Sequence, residues 1–384
     1  MSMNFQLSEE SLMMRDMFRK FAETEVEPKA AELDETHEFP HETFKKMAEM
    51  GLCGLPIPEE WGGSGASYMD FAIFIEELAK KCASTAVVMS VHTGLGCMST
   101  YLYGSQRVKE KYLRALATGE IVGAYALTEP DSGSDAGSLK CRAEDMGDHF
   151  IINGSKIFIT NGGIAQTYCT FVKTDPSQPT NKGITCVIIE KDTPGFTISK
   201  PMHKMGLHGD PTTELYFENC KVPKENVLGE INDGFKVAMG LLAGGRITIG
   251  AQGLGIGEGA LEYTVNYIKE RKQFGKPLAA NQGVQFMVAD MATALDAAQL
   301  MVYRAAWLKD NQLPHNKEAS MAKRLATDTS MEVCTNCVQL MGGYGYCQEY
   351  PIERMMRDVK ITQIYEGSNQ IQRMIIGREV IGRF

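Results

Sequence analysis

The sequence predicts an α+β fold in which a helical domain, a β domain and a second helical domain follow one another along the chain. Three observations predict it. Apolar residues recur at helical spacing over the first part, short alternating β-branched segments replace them in the middle, and long helical patterns then return. Because strand and helix patterns do not alternate, a doubly wound parallel sheet is not expected. The predicted domains are residues 1–120, 121–230 and 231–384.

The first domain is predicted to be helical. Its opening segment, SEESLMMRDMFRKFAETEVEPKAAELD, places a serine N-cap before apolar residues at helical spacing, and Pro28 predicts a break or kink. Residues 82–105 then contain no charged side chain. Because this stretch includes His92, several hydroxyl residues and glycines, it predicts a buried helix or cavity wall and not a membrane span.

The middle domain is expected to be built of β-strands. Its segments are short, β-branched and alternating, as in HFIINGSKIFITNG and ITCVIIEK, and Gly, Pro, Asp and Asn separate them. Within the first of these segments, Asn153-Gly154 is a dipeptide typical of two-residue hairpins. A hairpin turn is therefore expected there.

The third domain is predicted to consist of long helices. Residues 234–275 are small or apolar across most of their middle, so this helix must be buried nearly all round. Residues 253–260, GLGIGEGA, look like a dinucleotide-binding loop but lack its GxGxxG spacing and follow no strand. Their glycines are expected to permit close helix packing or ligand approach. Two more helices of bundle type are predicted within residues 281–312 and 318–343.

Composition argues against several classes of function. The net charge of −9 and the pI near 5.4 argue against nucleic-acid binding, which normally requires a basic face. The N-terminal stretch carries no export signal, so the ten cysteines are expected to be free thiols in a reducing, cytoplasmic location. Cys334 and Cys337 form a CxxC without a second pair or a nearby histidine. They are expected to be core residues, and no metal site is predicted.

Two motifs in the middle domain are suited to a polar ligand. AYALTEPDSGSDAG, residues 124–137, is an irregular loop whose hydroxyls and backbone amides suit a polar ring or a phosphate. KIFITNGG, residues 156–163, is predicted to be a strand ending in a turn, which a sheet edge explains equally well.

Two further motifs lie in the third domain. ERKQFGKPLAANQ, residues 270–282, indicates either a solvated charge run or a diphosphate contact. Residues 339–373 begin with QLMGGYGY and end with ITQIYEGSNQIQR. In that last segment Glu366 is the one charged residue between Lys360 and Arg373. It is either a charge at a helix N-terminus or a base that removes a proton.

Taken together, these motifs resemble those of the acyl-CoA dehydrogenase family, especially its short-chain, butyryl-CoA dehydrogenase-like members. The resemblance runs from about Leu7 to Arg383, and LTEPDSGSD and residues 339–372 are its most specific parts. It implies an N-terminal helical domain, a middle β-barrel or sandwich domain and a C-terminal four-helix bundle. It also implies non-covalent FAD and a homotetramer arranged as a dimer of dimers.

The same resemblance implies which residues bind FAD. Thr128 would bond the pyrimidine edge of the isoalloxazine ring, and Thr160 would lie beside its N5 atom. Residues 339–343 would reach the adenosine diphosphate part from a neighbouring subunit. The implied set is Tyr125, Leu127, Thr128, Ser134, Phe158, Ile159, Thr160, Arg271, Phe274, Gln282, Gln339, Gly342, Gly343, Ser368 and Gln370.

By this resemblance Glu366 is the catalytic base, taking the α-proton of an acyl thioester while the β-hydrogen leaves as hydride to the flavin. Its backbone amide and a flavin ribityl hydroxyl would bond the thioester carbonyl. Isovaleryl- and long-chain-type members instead carry the acid on the long helix before an arginine, and that place is Gly245 here. The implied substrate contacts are Ser134, Arg246, Tyr365 and Gly367.

Two positions bear on substrate recognition. Ala243 stands where short-chain members usually have an aspartate that helps hold CoA, which leaves Arg246 and Ser134 as contacts. Glutaryl-CoA dehydrogenases need an arginine at the position of Ala86, so an uncharged acyl group is expected.

The function implied is FAD-dependent α,β-dehydrogenation of a short-chain acyl-CoA to the trans-2-enoyl-CoA, with electrons passed to an electron-transfer flavoprotein. The same site can also run as an enoyl-CoA reductase of the crotonyl-, acryloyl- or aryl-acrylyl-CoA type. The fold is also compatible with an acyl-CoA oxidase and with a flavin-free helical scaffold.

Overall fold

A computed structural model describes residues 6–382. Residues 1–5 and 383–384 of the predicted first and third domains, including Arg383 at the end of the resemblance, lie outside the described residues. Helices come first along the chain. They are α1 (Glu9–Phe21), α2 (Ala30–Thr36), α3 (His41–Glu49), α4 (Tyr68–Lys81), α5 (Ala83–Val91), α6 (Met98–Tyr103), α7 (Gln106–Val108) and α8 (Arg114–Ala117).

The start and the kink of the first helical run are as predicted. The Ser8 hydroxyl accepts a hydrogen bond from the Ser11 amide at 3.1 Å, which caps α1. Pro28 lies in the 3₁₀ turn Glu27–Lys29, which interrupts the helical run between α1 and α2.

The uncharged stretch is a buried helix, also as predicted. Residues 82–100 are all buried, and the π-helical segment His92–Cys97 joins α5 to α6. Within the described part of the chain, no helix combines the length and the apolar character needed to cross a bilayer.

Strands follow between residues 123 and 228, in one mixed sheet. They are β1 (Gly123–Ala126), β2 (Arg142–Asp145), β3 (His149–Thr160), β4 (Thr167–Lys173), β5 (Ile184–Glu190), β6 (Phe196–Ile198), β7 (Thr212–Pro223) and β8 (Val227–Leu228). Their order is β6-β7-β3-β2-β4-β5-β8, and β1 pairs with β4 in parallel. Among the described residues β6 and β8 do not pair, so the sheet is open and a closed barrel is wrong for this domain.

The hairpin turn expected at Asn153-Gly154 is also wrong. Both residues lie inside the 12-residue strand β3, where the pairing with β7 shifts between Ile152 and Gly154. Gly154 has φ +143°, and a Cβ there would lie 2.7 Å from the Cα of Cys141. The dipeptide therefore marks a bulge at a close backbone approach. The β2–β3 turn falls instead at residues 146–148, where the Met146 amide donates to the His149 carbonyl at 2.9 Å.

Long helices return at residue 234. They are α9 (Gly234–Glu270), α10 (Gln282–Asp310), α11 (Asn316–Met341), α12 (Pro351–Thr362) and α13 (Asn369–Ile381), with the two-residue strands β9 (Lys272–Gln273) and β10 (Lys276–Pro277) between α9 and α10. Helix α9 is central and packs against α4, α10, α11 and α12. In its GLGIGEGA segment, Gly255 and Gly259 let the backbone of α4 approach closely. Cys334 and Cys337 are free and buried in the core, as expected.

The predicted domain boundaries fall in connections. The boundary at residue 120 lies between α8 and β1, and the boundary at 230 lies between β8 and α9. We retain both as proposals.

Candidate active site

Glu366 lies in a tight turn between α12 and α13. Its φ is +51° and that of Gly367 is +93°. A left-handed conformation costs a non-glycine residue about 1–2 kcal/mol, and such strain is concentrated at functional sites. The N-cap of α13 is Ser368, whose side chain accepts from the Ile371 amide. Glu366 therefore lies outside the helix, and the role of a helix N-terminal charge does not describe it.

The Glu366 side chain points at the central helix α9, where it faces Gly245. A Cβ at position 245 would lie 3.1 Å from the Glu366 carboxyl carbon and still closer to Oε2. The residue keeps some exposed surface, but Oε2 is buried and has no hydrogen-bond partner among the described residues. A buried carboxylate oxygen without a donor costs free energy, so this oxygen is poised to take a proton.

Two buried cations lie near the carboxylate. Arg246 is 4% exposed and donates from Nη1 to Asn316 Oδ1 at 2.6 Å, while its Nε has no partner among the described residues. Lys323 on α11 is fully buried. Burial raises the pKa of Glu366 to about 7, and the charges of Lys323 and Arg246 partly offset that rise. A carboxylate with such a pKa is matched to proton abstraction near neutral pH.

The turn also presents hydrogen-bond donors. Among the described residues, neither the Glu366 amide nor the Gly367 amide donates to a protein acceptor. The Tyr125 hydroxyl is likewise buried and unpartnered there, and Tyr68 presents another such hydroxyl beside Gly244. Unpaired amides next to a base are suited to stabilising an oxyanion on a substrate carbonyl.

Beyond Gly245, one face of α9 makes hydrogen bonds with neighbouring segments, and all of the groups in these bonds are uncharged. The Ser90 hydroxyl donates to Thr248 Oγ1 at 2.8 Å. Gln252 donates to the Ala83 carbonyl at 3.0 Å and accepts from the Tyr365 hydroxyl. Ala86, where glutaryl-specific enzymes need arginine, is fully buried in α5. These groups satisfy one another and form an uncharged wall.

The two predicted flavin-binding stretches of the middle domain lie side by side. The Ile157 amide donates to the Thr128 carbonyl at 2.9 Å, which brings β3 against the segment after β1. Phe158 is 63% exposed at φ +60°, so a large apolar ring stands out at this place. Thr160 Oγ1 donates to Asp210 Oδ2 at 3.3 Å. The remaining members differ in exposure, with Leu127 and Ile159 buried, Tyr125 half-buried and Ser134 exposed.

The residues predicted for the adenosine part lie at the surface of the helical bundle. The Arg271 guanidinium lies 5.2 Å from the centre of the Tyr344 ring, so the segments around residues 271 and 339–344 meet within one chain. Phe274 is 99% exposed at φ +52°. No hydrogen bond between described residues links these segments to Tyr125 or Thr160. The others are also at the surface: Gln282, Gln339, Gly342, Gly343 and Gln370 are exposed, and Ser368 is half-buried.

Sequence reasoning missed two buried lysines. Lys156 donates to Glu129 Oε1 at 2.7 Å and to the Leu127 carbonyl at 3.1 Å, which holds the loop of the first motif onto β3. Lys323 supports the turn of Glu366. In the sequence both look like ordinary helix or strand lysines, since Lys156 follows Ser155 and Lys323 precedes Arg324.

Comparison with known families agrees with this architecture. Residues 8–120 match the acyl-CoA dehydrogenase N-terminal domain, residues 124–220 its middle domain and residues 232–381 its C-terminal domain. The chain is also 50% identical over 376 residues to an acyl-CoA dehydrogenase of Bacillus subtilis, covering 98% of this chain and 99% of the relative. The chain belongs to the acyl-CoA dehydrogenase family. It is therefore an oxidoreductase of a family that is FAD-dependent.

Two other relatives carry more specific names. The short-chain specific acyl-CoA dehydrogenase of Clostridium acetobutylicum is 49% identical over 98% of this chain and 100% of its own length. The acryloyl-CoA reductase (NADH) of Anaerotignum propionicum is 46% identical over 99% of this chain and 97% of its own length.

Solved structures of this acyl-CoA dehydrogenase fold superpose closely. Butyryl-CoA dehydrogenase from Megasphaera elsdenii is 43% identical with a TM-score of 0.97, covering 99% of this chain and 100% of that chain. A chain from structural work on the electron transferring flavoprotein of Acidaminococcus fermentans is 47% identical with a TM-score of 0.97, covering 99% of this chain and 100% of that chain. A glutaryl-CoA dehydrogenase from Mycobacterium smegmatis in complex with FADH2 is 28% identical with a TM-score of 0.93 over 98% and 96%.

Proposed function

We propose that this protein dehydrogenates a short-chain acyl-CoA between its α- and β-carbons, with Glu366 as the base that removes the α-proton. The observation that carries the proposal is the Glu366 carboxylate, whose buried Oε2 has no partner among the described residues and faces Gly245 on α9. Burial raises its pKa to about 7. Such a carboxylate accepts a proton near neutral pH more readily than one in water.

The chain supports this step in two further ways. The free amides of Glu366 and Gly367 can donate to the thioester carbonyl as negative charge develops on it. Arg246 and Lys323 keep the carboxylate partly ionised before substrate arrives, because their charges oppose the effect of burial on its pKa.

FAD fits the residues of the middle domain. The exposed ring of Phe158 stands beside the Thr128 segment, and the Tyr125 hydroxyl is buried without a partner among the described residues. When bound, FAD supplies the two-electron acceptor that the oxidation of two adjacent carbons requires. Tyr125, Thr128, Phe158 and Thr160 would hold its ring system. Leu127 and Ile159 are buried, so they would contribute backbone groups.

The adenosine part would be held by residues from another subunit. The stacking of Arg271 on Tyr344 supports one subunit supplying both the segment around residue 271 and that around 339–344 to the same FAD. Phe274 and Phe286 expose 99% and 60% of their surface, and exposed apolar groups of this size favour an interface between subunits. We propose a homotetramer, which light scattering of the purified protein tests by its mass.

The acyl group is proposed to be short and uncharged. Gly245, Thr248 and Gln252 lie on one face of α9, and Gln252 is two turns from Gly245, about 10 Å along the axis. The Tyr365–Gln252 hydrogen bond crosses that face and limits the depth available beyond the base. No cation faces the buried Ala86 wall within residues 82–105, so a distal carboxylate would be left unpaired.

The test is flavin bleaching in the purified protein under anaerobic conditions. Butyryl-CoA is expected to bleach the flavin of the wild type, and Glu366→Gln is expected to bind FAD normally but to lose that bleaching. Bleaching of the Gln variant at near the wild-type rate would place the base elsewhere. Glutaryl-CoA is the negative control, and its faster reaction would overturn the interpretation of Ala86.

The direction and the redox partner are further proposals. Similarity to the Acidaminococcus fermentans structure supports an electron-transfer flavoprotein as acceptor, and similarity to an acryloyl-CoA reductase supports a second candidate, enoyl-CoA reduction. Reduction of added electron-transfer flavoprotein by butyryl-CoA tests the first. Rapid oxygen consumption with butyryl-CoA alone would indicate an oxidase instead.

A further inference from the structure

A buried lysine, Lys323, donates hydrogen bonds to the turn that carries Glu366. Lys323 lies on α11 with no exposed surface. Its Nζ donates to the Gly367 carbonyl at 2.9 Å and to Asn369 Oδ1 at 2.9 Å. An ammonium group in the protein interior is costly unless it is paired and hydrogen-bonded, so both acceptors compensate its burial.

The same carbonyl and the same asparagine tie the turn to two helices. Gln372 on α13 donates to the Gly367 carbonyl at 2.8 Å. Asn369 donates to Thr327 Oγ1 at 2.9 Å and to Asp328 Oδ1 at 2.7 Å, both on α11. Lys323 therefore connects α11 to Gly367, the residue that directly follows Glu366.

We propose that Lys323 is a positioning residue for the base: its bonds to Gly367 and Asn369 fix the strained turn and place a positive charge next to the residue that follows Glu366. This inference rests on the proposed function of Glu366. A mutation that removes Lys323 would free the Gly367 carbonyl on one side and let the turn relax from its left-handed conformation. The carboxylate would then lose both its direction towards Gly245 and a compensating charge.

Several charged or titratable groups face the carboxylate, and they determine the sign of the effect. Arg246 comes from α9, Lys323 from α11, Tyr68 from α4, Tyr125 from β1 and Tyr365 from the turn itself, and Asp328 on α11 interacts in turn with Lys323. Burial lowers the pKa of Lys323 to about 7, against the opposing effects of Glu366 and Asp328. Loss of its positive charge raises the pKa of Glu366 further, so more of the base is protonated at pH 7.

The experiment compares Lys323→Met, Lys323→Gln and Lys323→Arg holoenzymes with the wild type. The rate of flavin reduction by butyryl-CoA is measured from pH 6 to pH 10, together with FAD content and thermal stability. For Lys323→Met we expect a loss of at least about fivefold at pH 7 that recovers at high pH, because raising a pKa of about 7 by one unit lowers the ionised fraction at pH 7 from about one half to about one tenth. Lys323→Arg should restore the wild-type profile, because it keeps the charge and the donors.

A purely structural role gives a different result. It predicts lower thermal stability for Lys323→Met with an unchanged pH profile, and that outcome overturns the proposal. Lys323→Gln keeps a hydrogen-bond donor for the Gly367 carbonyl but lacks the charge. If Lys323→Met yields no holoenzyme, the pH profile of Lys323→Gln is compared with that of the wild type instead. Lys317→Met is the control: this lysine lies on the same helix, is 37% exposed and pairs with Glu318, so its removal should leave the pH profile of the wild type unchanged.

Two further observations separate the inferences. In wild type, stability should rise with pH between about 7 and 10.5, because the folded state binds the Lys323 proton less tightly than the unfolded chain. Lys323→Met should lack that rise in stability. A rise of the same size in Lys323→Met would contradict the view that it comes from the buried Lys323 ammonium group. If no acyl-CoA bleaches the wild type, the proposed function fails; if the wild type bleaches and the variants keep its pH profile, only the role of Lys323 fails.

Discussion

Replacing Glu366 by glutamine should stabilise the protein in a pH-dependent way. Burial raises the pKa of Glu366 from its usual 4.5 to about 7. Between these values the folded protein holds the proton more tightly than the unfolded chain does, so stability falls as pH rises through this window. Glutamine resembles the neutral carboxyl and lacks this loss.

The magnitude follows from the same difference. About 2.5 pH units at about 1.4 kcal/mol each correspond to about 3 kcal/mol once the pH exceeds 7. At pH 5 most of that loss has not yet occurred, so the glutamine variant should gain only about 1 kcal/mol there. The gain should therefore grow roughly threefold from pH 5 to pH 8.

The assay is urea unfolding of the holoenzyme with saturating FAD, at one protein concentration and at both pH values. Glu262→Gln is the matched control, because Glu262 is an exposed acid on the same central helix that carries Gly245. It should change stability little at either pH. Equal gains for Glu366→Gln at pH 5 and pH 8, or no gain at pH 8, would refute the view that the carboxylate is held in a destabilised state.

Three other substitutions test the surroundings of the base. Gly245→Ala places a methyl group against the Glu366 carboxylate, so we expect flavin reduction to slow at least about tenfold with FAD content unchanged; a normal rate would show that the carboxylate does not need this space. Gln252→Ala removes the Tyr365–Gln252 hydrogen bond across α9 and should raise kcat/KM for octanoyl-CoA relative to butyryl-CoA. An unchanged ratio would show that this hydrogen bond does not limit the length of the acyl group. Lys156→Met leaves the buried Glu129 without its paired cation and should lower stability by about 3–5 kcal/mol and reduce FAD content, as measured by melting and absorbance; unchanged stability and FAD content would show that Lys156 does not hold the 124–137 loop in place.

The helical parts of the fold were predictable because their signals are local. A serine cap, a proline and an uncharged stretch each determine structure within a few residues, and α1, Pro28 and residues 82–100 follow them. The long apolar pattern of α9 similarly requires burial on all sides. The sheet was less predictable, because the closure of a sheet depends on pairing between strands that are far apart in sequence.

Asn153-Gly154 shows why a strong local signal can fail. The dipeptide permits a positive φ, but a hairpin also needs the chain to reverse, and β7 pairs with β3 on both sides of the dipeptide. Gly154 serves the close approach of Cys141 instead. Local sequence is also insufficient for Lys323. Its proposed role depends on the Gly367 carbonyl, 44 residues away, which the sequence of its own helix does not predict.

The proposed position of the base, at Glu366, follows from one small volume beside α9. The space that a side chain at position 245 would occupy already holds the Glu366 carboxylate, so an acid on α9 and an acid on the turn would compete for it. A carboxylate at position 366 can therefore occupy this space only if position 245 is a glycine. Because the carboxylate reaches this volume from a strained turn, the turn must be anchored against relaxation. The bonds from Lys323 and Gln372 to the Gly367 carbonyl can supply that anchor, and the proposed role of Lys323 explains why a lysine with no exposed surface lies next to this turn.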